Sequence, residues 1–210
     1  MPFRPIEQGF VRPARRRALA GLAAVGTLLL PLRPWATVRA TPAMTEGPFY
    51  PERFSAQPSP RLVLGASADA VPLRLEGRVI DPQGEGVAGA RVEIWQCDAG
   101  GRYHHSRDSG VQERDANFAG FGWMLTDSTG RYGFDTIRPV PYPGRTPHIH
   151  VAVVAGGRRR LVTQAFVEGE AGNATDMLYR RLPPQARALL TVRLVPAGQG
   201  LQGTFDIVLS

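Results

Sequence analysis

From Val71 onward the chain is a succession of short stretches in which apolar and polar residues alternate. Leu73 to Ile80 puts Leu73, Leu75, Gly77 and Val79 on one face, the period of two expected of a half-buried strand. Asp81-Pro82-Gln83-Gly84 reads as a turn, and Ala90 to Cys97 as a second strand carrying Val92, Ile94 and Trp95. Gly122 to Thr126 and Arg131 to Ile137 form another pair around an Asp127-to-Gly130 turn. The run Ile149 to Val154 is apolar almost throughout, as in a strand buried on both faces. A Gly156-Gly157 turn with Arg158, Arg159 and Arg160 leads to Leu161–Val167, and Val192–Val195 and Thr204–Leu209 close the chain as strands. Only 175–190 has helical spacing, with Met177, Leu178, Leu182, Ala186 and Leu189 apolar and Pro183-Pro184 splitting it. This pattern predicts an all-β fold, an antiparallel β-sandwich with long loops and one short C-terminal helical segment.

Before Val71 the pattern differs. Thr41 to Pro51 (Thr-Pro-Ala-Met-Thr-Glu-Gly-Pro-Phe-Tyr-Pro) is broken by prolines and glycine, which excludes a helix and predicts an extended arm packing Phe49 and Tyr50 on the body. With the irregular stretch after it, this arm runs from 41 to 70. Residues 1–40 have a basic start ending in Arg15-Arg16-Arg17, an apolar stretch from Ala18 to Leu32 and small residues near Ala40. That is the layout of an export signal of the twin-arginine kind, too short in its apolar part for a comfortable membrane span. It predicts export machinery as a partner and a periplasmic or secreted protein.

Charge supports that division. The formal net charge is +7, yet residues 1–40 hold seven arginines against Glu7, leaving about +1 for everything after them. A near-neutral body argues against nucleic acid as a partner. The single cysteine, Cys97, excludes an intrachain disulfide and reads as a small buried hydrophobe. Assembly into a homo-oligomer is compatible with the sequence.

Candidate chemistry centres on Tyr142-Pro-Gly-Arg-Thr-Pro-His-Ile-His150. In a strand His148 and His150 project from one face, about 7 Å apart at the backbone, close enough to share a metal ion. On its own such a pair is better explained by one core histidine and one surface histidine. The long connection from Asp98 to Phe121 contributes Tyr103, His104 and His105, three side chains that cannot all face one way.

Together these segments resemble the intradiol ring-cleavage dioxygenases. Trp95-Gln-Cys-Asp-Ala-Gly-Gly-Arg-Tyr103 is similar to the strand and loop bearing that family's first tyrosine ligand, and Pro141-Tyr142-Pro143 to the segment bearing the second. Arg145-Thr-Pro-His-Ile-His150 resembles its arginine and histidine-pair segment, and Thr163-Gln164 its glutamine position. Thr45-Glu-Gly-Pro-Phe-Tyr-Pro51 and Phe205-Asp-Ile-Val-Leu209 fit as well, so the likeness runs from Thr41 to Ser210 in order. It implies that 71–210 is a catalytic domain with Fe(III) held by Tyr103, Tyr142, His148 and His150. It implies cleavage of a catechol-type ring by O2 between the two hydroxyl-bearing carbons, giving a muconate-type diacid. Tyr142 is implied as a displaceable ligand that accepts a proton, with Arg145 steadying negative charge on the ring and Gln164 assisting by hydrogen bonding. The donor set suits the metal, because two hard phenolate oxygens with two imidazoles favour ferric iron, and a trivalent ion depresses a phenol pKa otherwise near 10. Two departures stand out: the segment from Tyr142 to His148 is short, and the family's usual proline after the arginine is Thr146 here.

The rival readings are a non-catalytic secreted β-sandwich of prealbumin-like type and a cupin metalloenzyme. Gly77 to Val92 and Thr126 to Phe134 fit the first equally well, but it has no use for Tyr142, Arg145, His148, His150 and Gln164 together. The second needs a glutamate soon after the second histidine, and Val151–Ala155 offers none.

Overall fold

A computed structural model describes Met1, residues 38–67 and residues 69–210. The export signal expected over 1–40 lies outside the described residues apart from Met1 and its last three positions. Ten strands are present among the described residues: β1 (Pro72–Ile80), β2 (Arg91–Trp95), β3 (Phe121–Leu125), β4 (Arg131–Ile137), β5 (His148–Ala155), β6 (Arg158–Val167), β7 (Thr191–Val192), β8 (Leu194–Ala197), β9 (Gly200–Thr204) and β10 (Ile207–Val208). Two short helices, α1 (Met177–Arg181) and α2 (Pro184–Leu190), stand where one helical segment was expected, parted at the expected prolines. Of the apolar positions foreseen there, Ala186 is buried and Met177 is exposed. Leu190 is the deeper anchor of α2.

The strands form two five-stranded sheets. One has β4 on one side of β1, and β9 and β10 in succession along its other side, with β8 beyond β9. The other runs β3-β2-β5-β6-β7. Both are mixed, which corrects the antiparallel expectation. β1 pairs in parallel with β9 and β10, and β6 in parallel with β7. Of the strand pairs expected around local turns, β5 and β6 form an antiparallel hairpin across Gly156-Gly157. The Asp81–Gly84 and Asp127–Gly130 turns carry the chain from one sheet to the other, so β1 pairs with β4 and β2 with β3, which corrects the expectation that β3 and β4 pair with each other. The parallel pairs instead join segments far apart in sequence, brought back over a long path.

One hydrophobic cluster takes Leu73, Leu75 and Val79 from β1, Phe134 from β4, Val92 and Ile94 from β2, and Ile149, Val151 and Val153 from β5. The alternate residues of the second sheet face away from that core. There Trp95 and Ala152 join Cys97 and Tyr103 in a second cluster, against which Phe49, Tyr50, Phe121 and Tyr142 pack. Strand β5 is thus covered on both faces, which explains its unbroken apolar run. Cys97 is buried here as expected, its thiol pushed up to about 12 by burial and the adjacent Asp98 carboxylate.

The arm builds the second layer. Met44 N–H donates to Val162 O at 2.8 Å, Thr163 Oγ1 to Pro42 O at 2.7 Å, and Gln164 Nε2 to Thr45 O at 2.9 Å. Tyr50 Oη donates to the buried Glu93 carboxylate at 2.7 Å, and Arg159 lies 4.4 Å over the Tyr50 ring while pairing with Glu46. The arm is extended and packs Phe49 and Tyr50 on the body, as its sequence predicts.

Candidate functional site

The outer face of the second sheet presents a row across three strands. In register, Trp95 of β2 lies beside His150 of β5, and His150 beside Gln164 of β6. His148 is two residues before His150 on the same face, and both histidines are almost wholly buried. Two loops complete the group. Tyr142-Pro143-Gly144-Arg145 is a turn closed by Arg145 N–H to Tyr142 O at 2.9 Å, with Gly144 at φ 81, the left-handed third position that a type II turn requires. Tyr103 comes from the connection after β2, braced by Asp98, which accepts the Gly100, Arg102 and Asp115 amides, each at 2.9 Å. Asp108 braces it again, pairing with Arg102 at 3.0 Å and accepting the Tyr103 amide.

These loops bring the four proposed ligands into a closed ring. Centroid separations are 4.8 Å for His148–His150, 5.5 Å for His148–Tyr142, 5.4 Å for Tyr142–Tyr103 and 6.2 Å for Tyr103–His150. Trp95 stacks on His150 at 4.9 Å and 8°, and Phe49 stacks on Tyr103 at 4.6 Å and 26°. Gly47, at φ 74, passes so close that a Cβ there would lie 3.2 Å from His150 Cε1.

His148 Nδ1 lies 2.7 Å from Thr146 O. A carbonyl can only accept, so Nδ1 carries the proton and His148 Nε2 presents a lone pair. That nitrogen is 3.2 Å from His150 Nε2, while His150 Nδ1 and the Tyr103 hydroxyl are buried with no hydrogen-bond partner. Burial holds the His148 imidazole down at about 4, aided by the nearby Arg145 cation. Burial, then His148 and Arg145, holds His150 well below its ordinary value. Burial and the neighbouring Tyr142 push Tyr103 up; burial also raises Tyr142, with the Arg145 guanidinium opposing it. Two neutral imidazoles and two phenols therefore converge with the buried Tyr103 hydroxyl and His150 Nδ1 left without partners, an arrangement that buried polar groups ordinarily avoid. A cation held by the two Nε2 atoms and the two phenol oxygens would give these donors a common partner. The converging donors are two imidazole nitrogens and two phenol oxygens, a hard N2O2 set that suits iron better than the thiolate-rich sets zinc favours.

Arg145 completes the group. Its Nη1 reaches Tyr142 Oη at 3.3 Å, Nη2 donates to Gln164 Oε1 at 2.6 Å and Nε to Asp176 Oδ2 at 2.8 Å. All six residues predicted for the site are thus in one place. His104 and His105 are not among them: His104 is partly exposed near Asp98, and His105 Nδ1 accepts the Arg107 amide at 3.0 Å. A cleft of about 390 Å³ opens beside the ligands, lined by Tyr103, Tyr142, Phe49, Pro143 and Arg107. Sequence reasoning missed Asp176, Trp95 and Gly47 as parts of the site. Asp176 had a local signal, an acidic N-cap before Met177-Leu178, and it accepts the Leu178 and Tyr179 amides.

Comparison with known proteins agrees with this geometry. The family model described as Dioxygenase matches residues 45–210. The protocatechuate 3,4-dioxygenase beta chain of Burkholderia cepacia is 39% identical over 145 residues, covering 63% of this chain and 62% of that protein. Hydroxyquinol 1,2-dioxygenase of Corynebacterium glutamicum is 33% identical over 207 residues, covering 81% and 64%. The chain thus spans a little under two thirds of the length of these curated relatives. Among solved structures, the dioxygenase domain of a dioxygenase carbohydrate-binding protein fusion from Streptomyces sp. SirexAA-E superposes with a TM-score of 0.64 and 34% identity, over 82% of this chain and 99% of that one. Catechol 1,2-dioxygenase from Acinetobacter sp. ADP1 gives 0.66 and 27%, over 81% and 63%. With a family match over most of its length, the chain belongs to the intradiol ring-cleavage dioxygenases.

Proposed function

We propose that the protein is a non-haem Fe(III) intradiol dioxygenase that opens a catechol-type ring between its two hydroxyl-bearing carbons, using O2 and yielding a muconate-type diacid. The observation that carries this reading is the pair of imidazole Nε2 atoms 3.2 Å apart beside the partnerless Tyr103 hydroxyl. Tyr103, Tyr142, His148 and His150 would hold the iron. Ferric iron bound there would supply Lewis acidity towards a catechol and withdrawal of electron density from its ring, the chemistry that makes the ring open to O2.

The chain's own residues supply the rest. Tyr142, the less buried of the two phenols, faces the cleft, and as phenolate its Oη is the atom that accepts a proton from an arriving catechol. Arg145 sits beside that oxygen as a cation that does not deprotonate, placed to stabilise negative charge spreading over the ring. Gln164 fixes the far end of the guanidinium and is itself fixed by Thr45 O. Tyr103, stacked on Phe49, and His150, stacked on Trp95, are immobile anchors from which bulk water is excluded.

The two mixed sheets are read as the layers of a sandwich, with 71–210 the catalytic domain, 41–70 an arm roofing the site and 1–40 an export leader of twin-arginine type. On that reading the protein acts in the periplasm or outside the cell, and assembly as a homo-oligomer is compatible with it. The test is direct. Iron-loaded protein is offered catechol, protocatechuate and hydroxyquinol while O2 consumption and product are followed. Uptake of one O2 per ring with a ring-opened diacid supports the proposal, and no turnover of any catechol by a fully loaded sample overturns it.

A further inference from the structure

Asp176 is tied to the site from three directions at once. Its side chain is fully buried, and its Oδ1 accepts the Leu178 and Tyr179 amides at 2.9 Å each, capping α1. Its Oδ2 accepts Arg145 Nε at 2.8 Å and the Thr146 amide at 3.0 Å. Thr146 is held a second time, through its hydroxyl to Asn173 Oδ1 at 2.8 Å, and its carbonyl is the partner of His148 Nδ1 at 2.7 Å. One carboxylate oxygen thus fixes both the guanidinium and the backbone that sets the His148 ring.

The rest of Arg145 is free to matter only because Nε is fixed. A planar guanidinium on a long flexible stem reaches Tyr142 Oη and Gln164 Oε1 together only when its plane is set, and an ion pair through Nε sets it. Resting on the dioxygenase reading above, we propose that Asp176 is a positioning residue that, with the N–H of Thr146, clamps Arg145 between Tyr142 and Gln164. Asp176 touches neither the four ligands nor the cleft-lining side chains; it acts through Arg145. The clamp needs an N–H at position 146, which threonine supplies and proline cannot.

Asp176→Asn keeps an acceptor for the helix cap but removes the charge that grips Nε. We expect it to fold and to take up iron to the wild-type stoichiometry. Its kcat falls roughly ten- to hundredfold, the usual cost of losing a group that orients a site residue, while KM moves less than about threefold. In an Arg145→Ala background the same change costs nothing further. Thr146→Pro reproduces part of the loss of kcat. In iron-free wild type the Thr146 amide exchanges slowly with solvent, and in Asp176→Asn at least about tenfold faster. Wild-type turnover by fully loaded Asp176→Asn, or an undiminished loss in the Arg145→Ala background, overturns the inference. If wild-type protein takes up no iron, it is the dioxygenase reading that fails. The exchange rate of the Thr146 amide in the two iron-free proteins then decides the clamp, an unchanged rate refuting it.

Discussion

Replacing Gly47 by alanine tests whether the arm is part of the metal site or only covers it. Gly47 sits at φ 74, where an L-residue pays roughly 1–2 kcal/mol for the left-handed conformation. The added Cβ would also lie 3.2 Å from His150 Cε1 and 3.7 Å from Nε2. His150 is already stacked on Trp95 at 4.9 Å, which restricts how far its ring can yield. Gly157→Ala is the control: its φ is 71, and a Cβ there meets nothing within 4 Å. Both variants should therefore lose about 1–2 kcal/mol, or roughly 2–8 °C in melting temperature for a domain of this size, by calorimetry of the iron-free proteins. Only Gly47→Ala should also lose iron affinity, by about tenfold or more in competition with a chelator. Equal iron affinity in the two variants would refute the argument that the arm presses on His150.

Three further outcomes follow from the same geometry. Tyr142→Phe should keep its fold and its iron, shift the visible band and lower kcat by roughly 10²–10⁴, the range for removing a positioned proton acceptor; stopped-flow turnover at wild-type rate contradicts it. Tyr50→Phe leaves the buried Glu93 carboxylate without its 2.7 Å donor and should cost about 1.5–3 kcal/mol in urea unfolding, and a loss under 0.5 kcal/mol would show that the arm's anchor lies elsewhere. Iron-free protein should weaken in acid. The His148 value of about 4 lies below its ordinary 6.5, so the unfolded chain binds the proton first. Stability is complete above pH 6.5 and declines as pH drops towards 4, by roughly 3 kcal/mol from this group alone, with His150 adding in the same direction. Identical urea midpoints at pH 7 and pH 4.5 would contradict this.

What could be read from the sequence divides along physical lines. Local alternation and turn residues fixed β1, β2, β4 and β5 to within a residue or two of their bounds, because pleat and turn geometry are short-range properties. Of the two parallel partners of β1, β10 lies within the predicted Thr204–Leu209 strand, whereas β9 escaped. Gly200-Leu-Gln-Gly-Thr204 has two glycines and little alternation, so nothing local marks it as a strand, and its pairing with β1 spans more than a hundred residues. His148 and His150 were legible as a pair from spacing alone, whereas Tyr103, Tyr142, Arg145 and Gln164 came from family resemblance. Asp176 was invisible as a site residue because its partner Arg145 lies 31 positions away. The cap was visible locally, but its second oxygen was not. The packing of Phe49 was foreseen as burial, yet its place against Tyr103 depends on where two loops meet.

The central claim is that two phenols and two imidazoles hold one ferric ion. The direct measurement is iron content together with the visible spectrum of iron-loaded wild type and of His148→Ala and Tyr103→Phe. One iron per chain with a strong phenolate-to-iron charge-transfer band in the wild type is the expected result. Iron should be lost in His148→Ala, and the band should be diminished in Tyr103→Phe. A colourless wild type without iron, or a His148→Ala protein that keeps both iron and colour, would contradict the account.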